Sequence, residues 1–232
     1  MGNTSLTTAV ENIRLFTGLN PQQLSWVSSR LHAHNFPAGA DLIIAGTPGE
    51  AVYFILSGTV KVYVPQLDGR EVTVNLMGPG ATVGELSVID SAERSASVVT
   101  LEETRVVWMS REDFMEALRS MPTLSENMLR TLSSRLRLTT DNIQAYASLD
   151  IPGRIARQIL FIAGTYGQIS GEGIYIPVRL TQNDIAELVG ASRKRVNQVF
   201  VVLKREGVLT VDASWHITVF RKDVLERMST RS

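Results

Sequence analysis

Residues 180–209 read LTQNDIAELVGASRKRVNQVFVVLKREGVL and contain two short helical patterns separated by a tight turn. Thr181 and Ser192 stand where helix N-caps are expected, and residues 189–191 (Val-Gly-Ala) form the turn. Apolar side chains recur along residues 196–203 at helical spacing, so the second helix has one buried face. Two short helices joined by a glycine-containing turn predict a helix-turn-helix.

The face of the second helix opposite its apolar side chains is rich in polar and basic residues. Such a surface suits a polyanion, because Lys and Arg neutralise phosphates, and two strands expected around residues 212–214 would form a wing beside it. A helical hairpin with a merely solvated face is the alternative. We expect the DNA contacts to come from Thr181, Gln182, Ser192, Arg193, Lys194, Arg195, Asn197, Gln198 and Lys204.

Charge is divided unevenly along the chain, although the formal total is zero. Residues 1–150 contain 11 basic and 16 acidic residues, whereas residues 151–232 contain 12 basic and 7 acidic residues. The halves therefore carry net charges of −5 and +5. A basic C-terminal module joined to an acidic one favours double-stranded DNA as the partner of the C-terminal module.

Composition excludes several classes of protein. The 232 residues include 44% hydrophobic residues and no cysteine, so disulfides, catalytic thiols and cysteine-ligated metal centres are ruled out. Three histidines make a histidine-rich metal site improbable, and we expect no metal. No apolar run approaches the ~20 residues that a membrane span needs, so we expect no membrane association and a cytoplasmic location.

The N-terminal half is expected to be a β-domain. Short runs rich in Val, Ile and Tyr alternate with turn signals over residues 36–109, which favours an antiparallel barrel or sandwich. Asp68-Gly69 indicates a hairpin between two of the runs. Asn20 is expected to cap a helix that begins at Pro21, and Ser110 another.

A long amphipathic helix is expected after Pro122. Apolar side chains and one threonine, Thr139, recur at spacings of 3 and 4 residues, which is a heptad seam. A helix lying on its own core is the alternative to a homodimer seam. The helix should end at residues 150–153, giving modules 1–121, 122–150 and 151–232. The dimerisation residues expected from this pattern are Leu129, Leu132, Leu136, Ile143 and Tyr146.

Residues 80–99, GATVGELSVIDSAERSASVV, combine the features of an anion site. Gly84 allows backbone N–H groups to approach a ligand closely, and a helical turn at residues 86–88 would present more of them. Glu85 could accept from a sugar hydroxyl, and Arg94 with Ser95 could hold a phosphate. A structural Glu85–Arg94 ion pair is the alternative to a site for a phosphorylated sugar.

The chain resembles the cyclic-AMP receptor protein family, the CRP/FNR superfamily of bacterial transcription regulators, over about residues 10–220. The resemblance implies an α+β protein with a jelly-roll-like cyclic-nucleotide-binding β-roll, a long dimerisation helix and a C-terminal winged helix-turn-helix. It implies cyclic AMP as the allosteric ligand and RNA polymerase as a further partner. The implied ligand contacts are Gly84, Glu85, Leu86, Ser87, Arg94, Ser95, Thr139 and Thr140, with Thr140 reaching the nucleotide of the partner subunit.

The sequence departs from this family in its DNA-reading helix, where Lys194 replaces a usual Glu and Gln198 a usual Arg. These departures change the expected operator and leave DNA binding intact. A regulator of the same fold that responds to cyclic di-GMP, or to no ligand, is one alternative. An enzyme using Glu85 and Asp90 as an acid–base pair has no supporting nucleophile or metal motif, and a pure scaffold is opposed by the cationic helix.

Overall fold

Eight strands in the first part of the chain pair into two antiparallel sheets in a computed structural model, which describes residues 12–66, 71–171 and 173–230. One sheet has the order β1-β8-β3-β6 and the other β2-β7-β4-β5. This arrangement confirms the predicted β-roll. The strands are β1 (His32–Phe36), β2 (Asp41–Ile43), β3 (Ala51–Ser57), β4 (Val60–Pro65), β5 (Glu71–Met77), β6 (Thr82–Val83), β7 (Ser97–Thr100) and β8 (Thr104–Ser110).

Helices flank these sheets and begin where the capping residues predict. Asn20 and Ser110 accept hydrogen bonds from the backbone N–H groups three residues later, as N-caps do. A short 3₁₀ helix, Arg14–Phe16, precedes them. The helices are α1 (Pro21–Ser28), α2 (Glu85–Asp90), α3 (Arg111–Ser120) and α4 (Pro122–Ser148).

The core of this first unit contains residues that precede the β-roll strands, residues of the strands and residues that follow them. Phe16 and Phe114 both stack against Phe54 of β3, with ring centroids 4.9 Å and 6.4 Å away. The predicted Asp68-Gly69 turn lies outside the described residues, but the strands on either side of it pair antiparallel, with Val64 opposite Val72.

Helix α4 is shared between two compact units, residues 1–136 and 137–232. Leu124 and Met128 are buried in the first unit, whereas Ala145 and Leu149 are buried in the second. The helix thus contributes residues to both units. Its two halves bury apolar side chains against different neighbours, and the boundary falls between them.

The second unit is a winged helix-turn-helix, as predicted. Thr181 and Ser192 cap α6 and α7, and Gly190 ends α6 in the left-handed conformation, with φ of 63°. The expected break at residues 150–153 is shorter than predicted, because Asp150 caps α5 and Pro152 lies in its first turn. The helices are α5 (Ile151–Tyr166), α6 (Gln182–Val189), α7 (Arg193–Arg205) and α8 (Lys222–Met228).

The wing sheet has four strands in the described residues, two more than the sequence predicts. β11 (Leu209–Val211) and β12 (Ile217–Val219) are the two expected strands, and β9 (Gln168–Ser170) and β10 (Gly173–Ile176) extend the sheet in the order β11-β12-β10-β9. Within the described part of the chain, no helix is both long and apolar enough to cross a bilayer.

Candidate functional site

The first unit contains a cavity of about 80 Å³ between the β-roll strands, the N-terminal turn of α2 and α4. Ile43, Val62 and Val98 provide apolar walls. Six of the eight predicted ligand residues line it together: Gly84, Glu85, Leu86, Ser87, Arg94 and Ser95. The sequence segment expected to form an anion site therefore folds around one shared space.

Glu85 is a buried carboxylate, and one of its two oxygens has a hydrogen-bond partner among the described residues. The residue is 1% exposed, and Oε1 accepts a hydrogen bond of 2.5 Å from Arg135 Nη1. Among the described residues, Oε2 is buried without a hydrogen-bond partner. Leaving a buried acceptor unsatisfied costs about 1–3 kcal/mol, so Oε2 is suited to a hydroxyl donor that a ligand supplies.

Arg94 is a buried cation whose hydrogen-bond partners among the described residues are neutral oxygens. Its guanidinium donates to the carbonyls of Gly84 and Ala51 and to Ser87 Oγ, with the last two at 2.7 Å and 2.9 Å. The Glu85–Arg94 ion pair, which was the alternative to a ligand site, is not among the salt bridges of the described residues; Glu85 pairs with Arg135 instead. Arg94 is thus held in place by dipoles, and its charge remains available for an anion.

The cavity carries one positive charge in excess, because two guanidinium groups face one carboxylate. Burial lowers the pKa of Arg94, while Tyr53 and Glu85 oppose this shift. An arginine keeps its proton at neutral pH even so. A buried cation without a charged partner is stabilised by binding an anion such as a phosphate.

Two glycines allow the close packing that forms this cavity. A Cβ atom on Gly84, whose φ is +83°, would lie 2.6 Å from Arg94 Nη1 and 2.8 Å from Ile43 Cδ1. A Cβ atom on Gly49 would lie 2.5 Å from Ser87 Oγ. The packing of α2 directly on Gly49 could not be seen in the sequence.

Arg135 is a further site residue that sequence reasoning missed. It projects from α4 and donates both to Glu85 and to the carbonyl oxygen of Thr82. Its only signal in the sequence was a basic residue one helical turn before Thr139. Thr139 and Thr140 are exposed on α4 in the part of the helix that belongs to the second unit, so their contact with a ligand stays a prediction.

The predicted DNA-facing residues lie on α7 and at the caps of the helix-turn-helix. Arg193, Lys194 and Lys204 are exposed. Arg195 donates to the side-chain oxygen of Gln198 at 3.2 Å, and Gln182 Nε2 donates to Asn197 Oδ1 at 3.0 Å. Thr181 and Ser192 use their side-chain oxygens as helix caps, so their first role is to fix the two helices.

Comparisons with known proteins match both units. Residues 33–121 match the cyclic nucleotide-binding domain, and residues 153–228 match the Crp-like helix-turn-helix domain. Both matches are to binding modules rather than to catalytic domains. A CRP-like cAMP-activated global transcriptional regulator from Mycobacterium tuberculosis is 36% identical over 198 residues, which are 85% of this chain and 88% of that protein.

Solved structures agree with this assignment. The catabolite activator protein of Thermus thermophilus is 29% identical with a TM-score of 0.53, over 93% of this chain and 98% of its own. The c-di-GMP responsive global regulator CLP of Xanthomonas campestris shares the fold, with 23% identity, a TM-score of 0.66 and coverage of 87% and 99%. The chain belongs to the CRP family of ligand-responsive transcription regulators.

Proposed function

We propose that the ligand is cyclic AMP and that it controls the binding of a homodimer to palindromic operators. The observation that carries this proposal is the buried Oε2 of Glu85, which has no partner among the described residues and shares a cavity with Arg94. A cyclic nucleotide offers a ribose hydroxyl for Glu85 and a phosphate for Arg94. Both of the unmet requirements of the cavity are thus satisfied by one molecule.

Each predicted contact has a defined chemical role in this proposal. The fork of Arg94 and the hydroxyl of Ser95 bind the cyclic phosphate, and Gly84, Leu86 and Ser87 present backbone N–H groups to it. Arg135 pairs with Glu85 and orients it. Thr139 and Thr140 contact the adenine, with Thr140 reaching the nucleotide of the partner subunit, so that ligand binding favours one arrangement of the dimer.

We propose a cytoplasmic location, because a transcription regulator acts where the DNA is. An activator of transcription contacts RNA polymerase once it is bound beside a promoter, and we propose that enzyme as a partner. Cyclic di-GMP, the signal named for the regulator of Xanthomonas campestris, is the rival ligand.

Titration calorimetry of the purified chain tests the ligand. We expect saturable binding of cyclic AMP and weaker binding of 2′-deoxy cyclic AMP, which lacks the hydroxyl that Glu85 Oε2 would accept. A lost hydrogen bond to a charged group costs about 1.5–3 kcal/mol, so the deoxy ligand should bind ~10–150-fold more weakly. Tighter binding of cyclic di-GMP, or equal binding of the deoxy ligand, would contradict the proposal.

The operator should differ from the usual half-site of the family because of two residues on α7. Lys194 is a donor only, so it should reject a cytosine amino group and favour guanine or a phosphate. Gln198 suits adenine, and Arg193 suits guanine. Each pairing contributes about 1–3 kcal/mol of discrimination, and the half-site centres should lie ~34–36 Å apart.

Selection from random duplexes in the presence of cyclic AMP measures this preference. We expect a two-fold palindrome, and we expect Lys194→Glu to change the preferred base at one position of each half-site. Lys204→Glu is the control, because Lys204 should contact phosphate and alter the salt dependence rather than the motif. An unchanged motif in the Lys194 variant would mean that α7 docks differently.

A further inference from the structure

The carbonyl groups at the C-terminal end of α6 accept hydrogen bonds from side chains on other helices. The last carbonyls of an α-helix have no partner within the helix. Here the hydroxyl of Tyr146, on the last turns of α4, donates to the carbonyl of Leu188 at 2.5 Å. The Tyr146 ring also lies against Gly190, with its Cε1 atom 3.5 Å from where a Cβ would stand.

Arg154 on α5 completes this arrangement. Its guanidinium donates to the carbonyl of Val189 at 3.4 Å, and to the carbonyls of Leu149 and Tyr146 at 3.0 Å and 3.2 Å. It also lies over the Tyr146 ring, 5.4 Å from the centroid. A cation beside the C-terminal end of a helix is favourable because of the helix dipole. Arg154 therefore connects the end of α4 to the turn between α6 and α7.

A second connection lies further back along α4. Arg157 forms an ion pair with Asp141 at 3.3 Å, so two turns of α4 are fixed to α5. Burial raises the pKa of Tyr146 and Arg154 opposes the shift, so the phenol remains a hydrogen-bond donor at neutral pH. The turn that sets the angle between the two DNA-reading helices is thus held by residues of α4 and α5.

We infer that Tyr146 and Arg154 are positioning residues that make the end of α4 and the α6–α7 turn one rigid body. A change in α4 on nucleotide binding would then move the recognition helix α7 with it. This inference rests on the proposed function, in which the nucleotide acts on α4. It also gives Tyr146 a role within one chain, in addition to the place in the dimer seam that its spacing predicts.

Tyr146→Phe removes the hydroxyl and keeps the ring, so it tests the connection with little change in packing. Tyr166→Phe is the matched control, because Tyr166 lies at the other end of α5, about 18 Å from Arg154 along the helix. Hydrogen exchange on the unliganded chain is measured first. We expect residues 137–148 and 182–192 to exchange about 3–10-fold faster in the Tyr146 variant only.

The second measurement is the ratio of DNA affinities with and without cyclic AMP, taken from anisotropy of a labelled operator. We expect this ratio to fall about 3–10-fold in Tyr146→Phe, with cyclic AMP affinity and dimerisation unchanged. Asp141→Asn, which breaks the second connection, should lower the ratio too, and the two substitutions together should lower it further.

The outcomes separate the two proposals. Unchanged exchange in Tyr146→Phe overturns the connection, whatever the nucleotide does. If the wild type responds to cyclic AMP and the ratio is the same in Tyr146→Phe, Tyr146 does not transmit the signal to α7. A fall in the ratio that accompanies dissociation into monomers also overturns the transmission from α4 to α7. If exchange changes but the wild type does not respond to cyclic AMP, the connection stands and the proposed ligand is wrong.

Discussion

Replacing Leu136 and Ile143 by glutamate should leave the chain monomeric and abolish its binding to a palindromic operator. Leu136 and Ile143 are 69% and 66% exposed in the single chain, and Leu129, one heptad before Leu136, is 65% exposed. The three residues, each one heptad from the next, form an apolar stripe along α4. In a homodimer this stripe would be buried, so four carboxylates would meet without partners at a cost of several kcal/mol. A monomer binds only one half-site and loses ~10²–10⁴-fold in affinity.

Light scattering and operator anisotropy measure the two effects together. Ser134→Glu with Gln144→Glu is the control pair, because these exposed residues lie away from the stripe and add the same charge. Leu132, which we had assigned to the seam, packs against the core of the first unit, so Leu132→Glu should instead destabilise that unit. A dimer that survives the Leu136 and Ile143 substitutions would mean that α4 is not the seam.

Local signals in the sequence were sufficient to predict most of the elements. Four helices begin directly after a residue whose short polar side chain accepts a hydrogen bond from an N–H group that the helix leaves free. These N-caps are Asn20, Ser110, Thr181 and Ser192. These effects act over three residues, so a sequence reader sees them directly. The short apolar runs predicted an antiparallel barrel or sandwich, and the family resemblance implied a β-roll. The pairing order of the strands could not be read from the runs themselves.

Features that depend on distant contacts could not be predicted in this way. Leu132 and Leu136 follow the same spacing pattern, yet Leu132 packs against the core of the first unit and Leu136 is exposed. This difference depends on neighbours outside the helix, which the spacing does not show. Arg135 reaches Glu85 across 50 positions in the sequence. β9 and β10 escaped notice because each spans only three or four residues and glycines lie at their ends.

The candidate site shows the same division between local and distant information. The sequence pattern around Glu85 and Arg94 was sufficient to identify these two residues as parts of a site. It did not show which charged side chains pair with one another. Arg135 neutralises Glu85, and this leaves Arg94 as the cation without a charged partner among the contacts that the described residues show. The pairing of Glu85 with a residue from α4 therefore makes Arg94 the anchor for an anion.

Arg94→Ala should weaken cyclic AMP binding ~10–150-fold, because a charge-assisted hydrogen bond to the phosphate contributes about 1.5–3 kcal/mol. Arg94→Lys should give an intermediate affinity, since it keeps the charge but loses the two-pronged geometry. Arg105→Ala, which removes an exposed arginine of β8 in the same unit, should bind like the wild type. Calorimetry gives the affinities of all four proteins.

Thermal unfolding separates a loss of the anchor from a loss of the fold. Removing Arg94 frees the carbonyls of Gly84 and Ala51, but it also removes a buried cation, so the two effects on stability oppose each other. We therefore expect the midpoint of unfolding without ligand to change little, and the stabilisation by cyclic AMP to disappear at concentrations that saturate the wild type. Full stabilisation of a folded Arg94→Ala variant would show that the phosphate binds elsewhere.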